Sequence, residues 1–275
     1  MIYTRSELAG RECVRLGRSV VIETHLSVEQ PEFQHVSALA ASSLLLRVVT
    51  ISPILKAAYV DAGIPEKKIV VEPDAVDLCE PRQGAGRTEL RSLLGLPRDA
   101  FIATYCGHMY AHRGVEDILD AAARLPNVEF VLVGGWDEDV ERVRKTARSL
   151  RNVSVRGFVP HPQVFEYLQA SNVLLMPYPE TCETAQWMSP LKLFEYMAAE
   201  RPIVATDLPA LRSHLTDRRT ALLVPSSSGA ALAGAISERQ RDSFLARATA
   251  KAAAEEVKTF TWDRRAKRVL HGISP

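Results

Sequence analysis

Short runs of β-branched and apolar residues alternate along this chain with longer stretches whose apolar positions recur every three or four residues. That alternation predicts parallel sheets covered by helices. In the first part, Ile2–Thr4 reads as a stub of strand. Residues 6–16 read as a helix, with Ser6 as N-cap and Gly17 as its stop. Residues 20–24 form a buried strand in this reading, 33–46 a helix and 48–52 a strand. Ser52-Pro53 opens a further helix that ends near Gly63, and Ile69–Val71 closes the region. A polar stretch with Pro81, Gly84 and Gly86 follows, and 77–86 reads as a linker.

A second run of units then begins. Strands are expected at 101–105, 130–134, 154–158, 173–177, Ile203–Thr206 and 221–224. Helices lie between them, at Val115–Arg124, 138–150, 163–169 and 191–199. Six strands with five crossovers make a complete doubly wound domain. From 231 to 270 the pattern is almost all helix. The first part supplies only three or four strands, so its sheet edges should be left uncovered. If the chain is complete, that predicts a homo-oligomer or a partner chain over the edge.

Composition narrows the class. With 47% hydrophobic and 24% charged residues, the 275-residue chain can bury ordinary cores. A net charge of +1 gives no global field for nucleic acid or an anionic membrane. Arg142, Arg144, Lys145, Arg148 and Arg151 alternate with Glu141 and apolar positions, as a solvated helix face does. Cys13, Cys79, Cys106 and Cys182 form no Cys-x-x-Cys pair and read as reduced thiols of a cytoplasmic protein. No apolar run is long enough to span a bilayer, and the first residues lack a signal-peptide layout.

The densest chemistry lies at 188–199, Met-Ser-Pro-Leu-Lys-Leu-Phe-Glu-Tyr-Met-Ala-Ala. Ser189 fits an N-cap and Pro190 the first helical position. The N–H groups of Leu191 and Lys192 would then be free at the helix start, where the dipole favours an anion. Lys192 adds a mobile cation, and Glu195, one turn on, can accept two ribose hydroxyls. The same spacing suits a well-capped core helix, since Leu191, Phe194, Met197 and Ala198 form an apolar stripe. The loop 105–114, Tyr-Cys-Gly-His-Met-Tyr-Ala-His-Arg-Gly, joins a strand to a helix. Gly107 allows close backbone approach, and Arg113 can neutralise a phosphate at the C-terminal edge of the sheet. Any α/β protein can carry such a loop. His25 ends the strand Val-Val-Ile-Glu-Thr-His, where a polar residue is also ordinary.

Together these segments resemble retaining, family-4-like glycosyltransferases (glycosyltransferase group 1). Residues 133–135, 156–160 and 202–211 continue the likeness, which runs from Ile2 to the helix around Trp262. The resemblance implies an α/β, GT-B-like fold: one complete doubly wound Rossmann-like C-terminal domain and a partial N-terminal one. It divides the chain into 1–78 on the acceptor side, 79–258 for the sugar nucleotide, and a helix at 259–275 that packs back on the N-terminal part. The implied activity is transfer of a hexose from a nucleoside diphosphate sugar (UDP- or GDP-linked) to a hydroxyl of a glycan or lipid-linked acceptor, with retention. No metal or other cofactor is implied, and the setting would be cytoplasmic or peripheral at the inner membrane face.

The catalytic residues would be His25, Arg113 and Lys192. Gly107, His108, Ser189, Pro190, Leu191 and Glu195 would hold the donor, with Gly157, Phe158 and Val159 beside its base. Three departures weigh on this. Trp187 stands where many members carry an acid, eight positions before the ribose glutamate. His108 stands where many have arginine, and Asp74-Ala75 replaces the usual Asn-Gly. The chain also begins inside the acceptor-side domain. Two other readings stay open: a non-catalytic nucleotide- or partner-binding remnant, and a sugar-nucleotide epimerase or a phosphorylase on the same fold.

Overall fold

The computed structural model describes residues 1–78 and 86–273. Cys79 and most of the 77–86 linker lie outside the described residues. In chain order the elements are β1 (Ile2–Thr4), α1 (Glu7–Arg15), β2 (Val20–Glu23), α2 (Gln34–Ser37), β3 (Leu45–Thr50), α3 (Pro53–Asp61), β4 (Ile69–Val71), α4 (Arg87–Leu93), β5 (Phe101–Cys106), α5 (Val115–Arg124), β6 (Val128–Val133) and α6 (Asp137–Ala147). Then come β7 (Val153–Gly157), α7 (His161–Ala170), β8 (Val173–Met176), α8 (Leu191–Ala198), β9 (Ile203–Thr206), α9 (Pro209–Arg212), β10 (Leu222–Val224), α10 (Gly229–Arg241), α11 (Ser243–Val257) and α12 (Trp262–Leu270). Two compact units result. One comprises Met1–Ala75, Gln186–Ser189 and Phe260–Pro275, the other Val76–Ala185 and Pro190–Thr259.

The first unit is built on a four-stranded parallel sheet in the order β1-β2-β3-β4. Both of its early helices are capped as the residues require. Ser6 Oγ accepts the Ala9 N–H and Ser52 Oγ the Leu55 N–H, while Gly17 and Gly63 take positive φ after the helix ends. One face packs Val20, Ile22, Phe33, Val36, Leu45, Val48, Leu55 and Tyr59, with Trp187 against them. On the other, Val269 of α12 lies against Val21 and Val49. β1 stands at the sheet edge, and its Ile2 and Tyr3 are exposed.

The second unit carries a six-stranded parallel sheet in the order β10-β9-β8-β5-β6-β7. The chain turns back between β5 and β8, which makes the carboxyl ends of that pair the crevice where open α/β sheets bind ligands. Phe130, Leu132, Ile118, Val173, Leu175 and Val204 belong to its main core. These strands are apolar on both faces because helices cover both.

Two expectations are corrected. Residues 33–46 are not one helix. A 3₁₀ turn at Pro31–Phe33 leads into the short α2, and Leu45 and Leu46 already belong to β3. Ser42 Oγ accepts the Leu44 N–H and the Ser42 carbonyl accepts that of Leu45, a local turn that ends the helical run. The N-cap of α8 is Pro190 rather than Ser189. Ser189 Oγ instead accepts the Asp74 N–H at 2.8 Å, which ties 186–189 into the first unit.

Candidate active site

α8 begins at the switch point of the larger sheet, and Tyr196 fixes it there. The Tyr196 hydroxyl accepts the Cys106 N–H at 2.8 Å and faces the carbonyls of Cys106 and Leu175, at the ends of β5 and β8. Full burial pushes its phenol well above the ordinary range, so it stays a neutral donor. At the helix start the N–H groups of Leu191 and Lys192 precede the first intrahelical bond, Leu193 N–H to Pro190 C=O. Leu191 itself is half-exposed.

Lys192 lies under the backbone of Gly107. Its Nζ is 3.1 Å from the Tyr105 hydroxyl, 4.1 Å from the centroid of that ring and 5.0 Å from the centroid of the Tyr178 ring. A Cβ on Gly107 would sit 2.5 Å from Nζ, so a side chain there would evict the ammonium. Although part of the Lys192 side chain remains exposed, the packing around its tip governs the charge. Desolvation pulls the ammonium down to about 7, and Arg113 adds to the fall while Cys106 and Glu195 oppose it. Among the described residues no carboxylate forms an ion pair with Lys192 or Arg113. The Arg113 guanidinium stands 5.4 Å from the centroid of the Tyr178 ring, and burial pushes that phenol up to about 12. Two cations thus meet at one helix start without an internal counter-charge, the arrangement that receives a diphosphate.

Glu195, one turn further along, is mostly buried, and its Oε1 accepts a hydrogen bond from His161 Nε2 at 2.8 Å. His161 opens α7 directly after the β7 loop, so the acid is aimed toward that end of the sheet. Gly107, Gly134 and Gly157 end β5, β6 and β7 side by side. The Gly107 N–H reaches the Val133 carbonyl at 2.9 Å and the Gly134 N–H the Gly157 carbonyl at 2.7 Å. All three glycines have positive φ. Phe158 is 76% exposed and Val159 half-buried beside them. His108 does not extend as a lone phosphate ligand: its ring stacks with Tyr110 and Trp136.

Gly114, the N-cap of α5, has φ +82°, and a Cβ there would lie 1.7 Å from the Pro177 carbonyl oxygen. Gly114→Ala is therefore expected to displace the loop that carries Arg113. The cost should be about 1–3 kcal/mol of stability, read as a lower midpoint in thermal unfolding.

The first unit holds a separate polar cluster at the end of β2. Glu23 is buried. Its Oε1 is 3.0 Å from His25 Nε2, and its Oε2 is 3.0 Å from the Arg265 guanidinium and takes a hydrogen bond from Tyr3. The other ring nitrogen of His25, Nδ1, is 3.2 Å from Arg5. Burial alone would raise the Glu23 carboxyl, but hydrogen bonds from His25, Arg265 and Tyr3 hold it far below the usual range. The Asp74 carboxyl is raised by burial, against the pull of His25, Arg265 and Arg5. Glu23, His25 and Asp74 bring ligand atoms within 4.8 Å of one another, a spacing a cation could use. Both Glu23 oxygens are already engaged by positive or donating groups, which favours a charge network over a metal centre.

Sequence reasoning missed Tyr105, Tyr178, His161, Glu23 and Arg265. His161 and Glu23 sat beside residues that drew notice. A glutamate in an otherwise apolar strand is itself a signal that a cation must arrive from elsewhere. Trp187, eight positions before Glu195, is partly buried and packs against the core of the first unit.

Comparison with known proteins gives this geometry a class. Residues 100–242 match the family model described as Glycosyl transferases group 1, more than half of the chain. The chain belongs to that family. It is 30% identical over 179 residues to the alpha-D-kanosaminyltransferase of Streptomyces kanamyceticus, covering 62% of this chain and 44% of the relative. It is also 30% identical over 219 residues to the D-inositol 3-phosphate glycosyltransferase of Mycolicibacterium paratuberculosis, covering 75% and 47%. The chain spans about half the length of these relatives or less. Among solved structures, Anabaena HepE in complex with UDP superposes with a TM-score of 0.81 at 18% identity, over 98% of this chain and 76% of that one. Sucrose-phosphate synthase from Thermosynechococcus elongatus gives 0.77 at 23%, over 97% and 71%. These likenesses establish a GT-B glycosyltransferase fold. Among the described residues no helix is long and apolar enough to cross a membrane.

Proposed function

We propose that this protein binds a nucleoside diphosphate sugar in its larger unit and transfers the hexose, with retention, to a hydroxyl of a glycan or lipid-linked acceptor. One observation carries the reading: Lys192 and Arg113, with no ion-paired carboxylate among the described residues, converge on a helix start beneath glycine backbone, at the switch point of a doubly wound sheet. The diphosphate would sit at the N–H groups of Leu191 and Lys192, close to Gly107, with Ser189 and Pro190 leading the chain into the helix and His108 flanking the donor. The ribose hydroxyls would face Glu195, held by His161, and the base would lie by Gly157, Phe158 and Val159. UDP seen with the HepE fold supports a uridine or similar base.

In the reaction, the bond from the anomeric carbon to the diphosphate oxygen breaks. Negative charge grows on that oxygen, where Lys192, Arg113 and the two amides stabilise it. The acceptor hydroxyl attacks from the face the diphosphate leaves, and its proton passes to the departing phosphate oxygen. His25, whose ring Glu23 and Arg5 fix, is read as a catalytic residue of the acceptor-side unit. We read 79–258 as the donor half, 1–78 as the acceptor side and 259–275 as a helix returning to it.

The test is thermal unfolding with UDP, GDP, ADP, dTDP and CMP. A nucleotide at a hundredfold excess over Kd adds about 2.7 kcal/mol, which moves the midpoint by about 5–10 °C for a unit of this size. One responding base, followed by turnover of its sugars with an added acceptor, is the expected outcome. Turnover without an acceptor would instead mark an epimerase, and no shift with any nucleotide would sink the donor-site reading.

A further inference from the structure

Three aromatic side chains stand together on the loops that leave β5 and β6. The His108 and Tyr110 rings are 4.9 Å apart and nearly parallel, at 7°. The His108 and Trp136 rings are 5.5 Å apart at 29°. The Trp136 indole N–H donates to the Tyr110 hydroxyl at 3.0 Å. Despite these mutual contacts all three remain exposed, Trp136 by 60%. The segment beneath them is firmly placed. Met109, between the two exposed rings, is fully buried, and its carbonyl accepts from Arg142 of α6. Gly135 packs against Met109 and Val140, and its φ of +88° is one that a residue with a side chain rarely adopts. The Tyr105 hydroxyl, which faces Lys192, also donates to the His108 carbonyl at 2.6 Å. A fixed, exposed aromatic surface has little to gain from folding and much to offer a flat ligand, because its ordering is complete before the ligand arrives.

What that ligand is follows from the neighbours. The rings rise from the residues just after Gly107 and Gly134, and Phe158 rises from the residue just after Gly157. The three glycine ends form a floor without side chains: a Cβ on Gly134 would lie 2.6 Å from the Gly107 carbonyl oxygen. One end of this floor is the Lys192 and Arg113 pole. Its other end is the β7 loop, where His161 holds Glu195. A molecule with its diphosphate at the first pole and its ribose at Glu195 must put its base over the floor, between the β6 and β7 loops.

We infer that the His108–Tyr110–Trp136 cluster is a preformed platform on which the donor's nucleobase stacks, with Trp136 supplying the open face; this rests on the donor-site reading above. The histidine, which replaces an arginine expected for phosphate, is then part of a wall for a planar ring. The cluster sets affinity for the nucleoside part and leaves the diphosphate contacts to Lys192 and Arg113.

The test compares wild type, Trp136→Leu and Trp136→Phe for UDP, UDP-glucose and inorganic pyrophosphate by calorimetry, and follows tryptophan emission. Trp136 is one of three tryptophans. UDP should quench the emission of wild type, and Trp136→Phe should lose that quenching while keeping most of the affinity. Trp136→Leu should bind UDP about 5- to 150-fold more weakly and pyrophosphate as wild type does. If wild type binds no UDP but binds GDP, the same comparison is made with GDP. Binding of none of the five nucleotides named above by wild type would overturn the donor-site reading and the platform with it. Equal nucleotide affinity in wild type and Trp136→Leu would overturn the platform alone. So would an equal loss for nucleotide and pyrophosphate, which marks a collapsed loop, or a loss confined to UDP-glucose, which would put the sugar on the rings.

Discussion

Lys192→Met is expected to lower sugar-transfer turnover by about 10²–10³-fold, the usual effect of removing one preorganised donor to a developing oxyanion. The accompanying loss of UDP affinity should be near 10- to 100-fold, as for a hydrogen bond to a charged group. The pH dependence makes this prediction sharper. Burial under the Tyr105 and Tyr178 rings pulls the ammonium down to about 7, so above that pH the empty site holds a neutral amine. A diphosphate selects the charged form. Binding above pH 7 must therefore take up a proton, and UDP affinity should fall toward a limit of about tenfold per pH unit.

Stability runs the other way. The unfolded chain keeps Lys192 protonated up to its ordinary pKa of about 10.4, and the folded one does not. From pH 7 to that value the unfolded state binds more protons, so the fold gains stability as pH rises across the window. Below pH 7 the full cost of burying the ammonium is present, and there Lys192→Met should raise the unfolding temperature of the empty protein. Calorimetry at pH 7, 8 and 9 with buffers of different ionisation enthalpy counts the proton. A pH-independent UDP affinity in wild type, or one equally pH-dependent in Lys192→Met, would show that this amine does not titrate with binding.

Arg265→Ala carries the second large expectation, a loss of about 3–5 kcal/mol from the first unit. Arg265 reaches Glu23 at 3.0 Å and also donates to the backbone carbonyls of Pro73 and Glu72. Removing it takes the buried guanidinium from a carboxylate that is only 4% exposed and leaves it to Tyr3, His25 and the mostly exposed Arg5. Glu23→Gln combined with Arg265→Met should recover much of the loss, since no lone charge is left behind. Urea unfolding, followed by Trp187 emission, reads the unit that holds both residues. The sign with pH is fixed by the depressed Glu23 carboxyl. Its stabilisation is complete above the ordinary glutamate range and drains away as the pH falls toward the lower folded value. The wild type should show this acid sensitivity and the double variant should not.

The sequence disclosed some of this and concealed the rest for identifiable reasons. Strands such as β5, β6 and β9 were legible because both faces are buried, which leaves short, mostly apolar runs rich in β-branched and aromatic residues. Ser52-Pro53 announced α3 because the cap bond is local, three residues long. Leu45 and Leu46 misled because an apolar pair fits a helix stripe as well as a strand. The turn at Ser42 decides between them, and it has no distinctive spelling. Ser189 looked like a cap by the same local logic, yet its hydroxyl is claimed by Asp74, 115 positions away. The Lys192 and Glu195 spacing was readable on one helix. The tyrosine rings that set the lysine's charge arrive from β5 and the segment after β8, and only the folded sheet brings them together.

The bond between Arg265 and Glu23 closes across 242 residues of chain. The first unit combines Met1–Ala75 with α12, which follows Thr259, the last residue of the second unit. On the ribosome the larger sheet can thus be finished while the smaller one still waits for its final helix. Throughout that interval the carboxylate of Glu23 has no guanidinium from α12. The order of synthesis lets the smaller unit close only after the larger one, and leaves it exposed for longer than the larger one as a nascent target for chaperones and proteases.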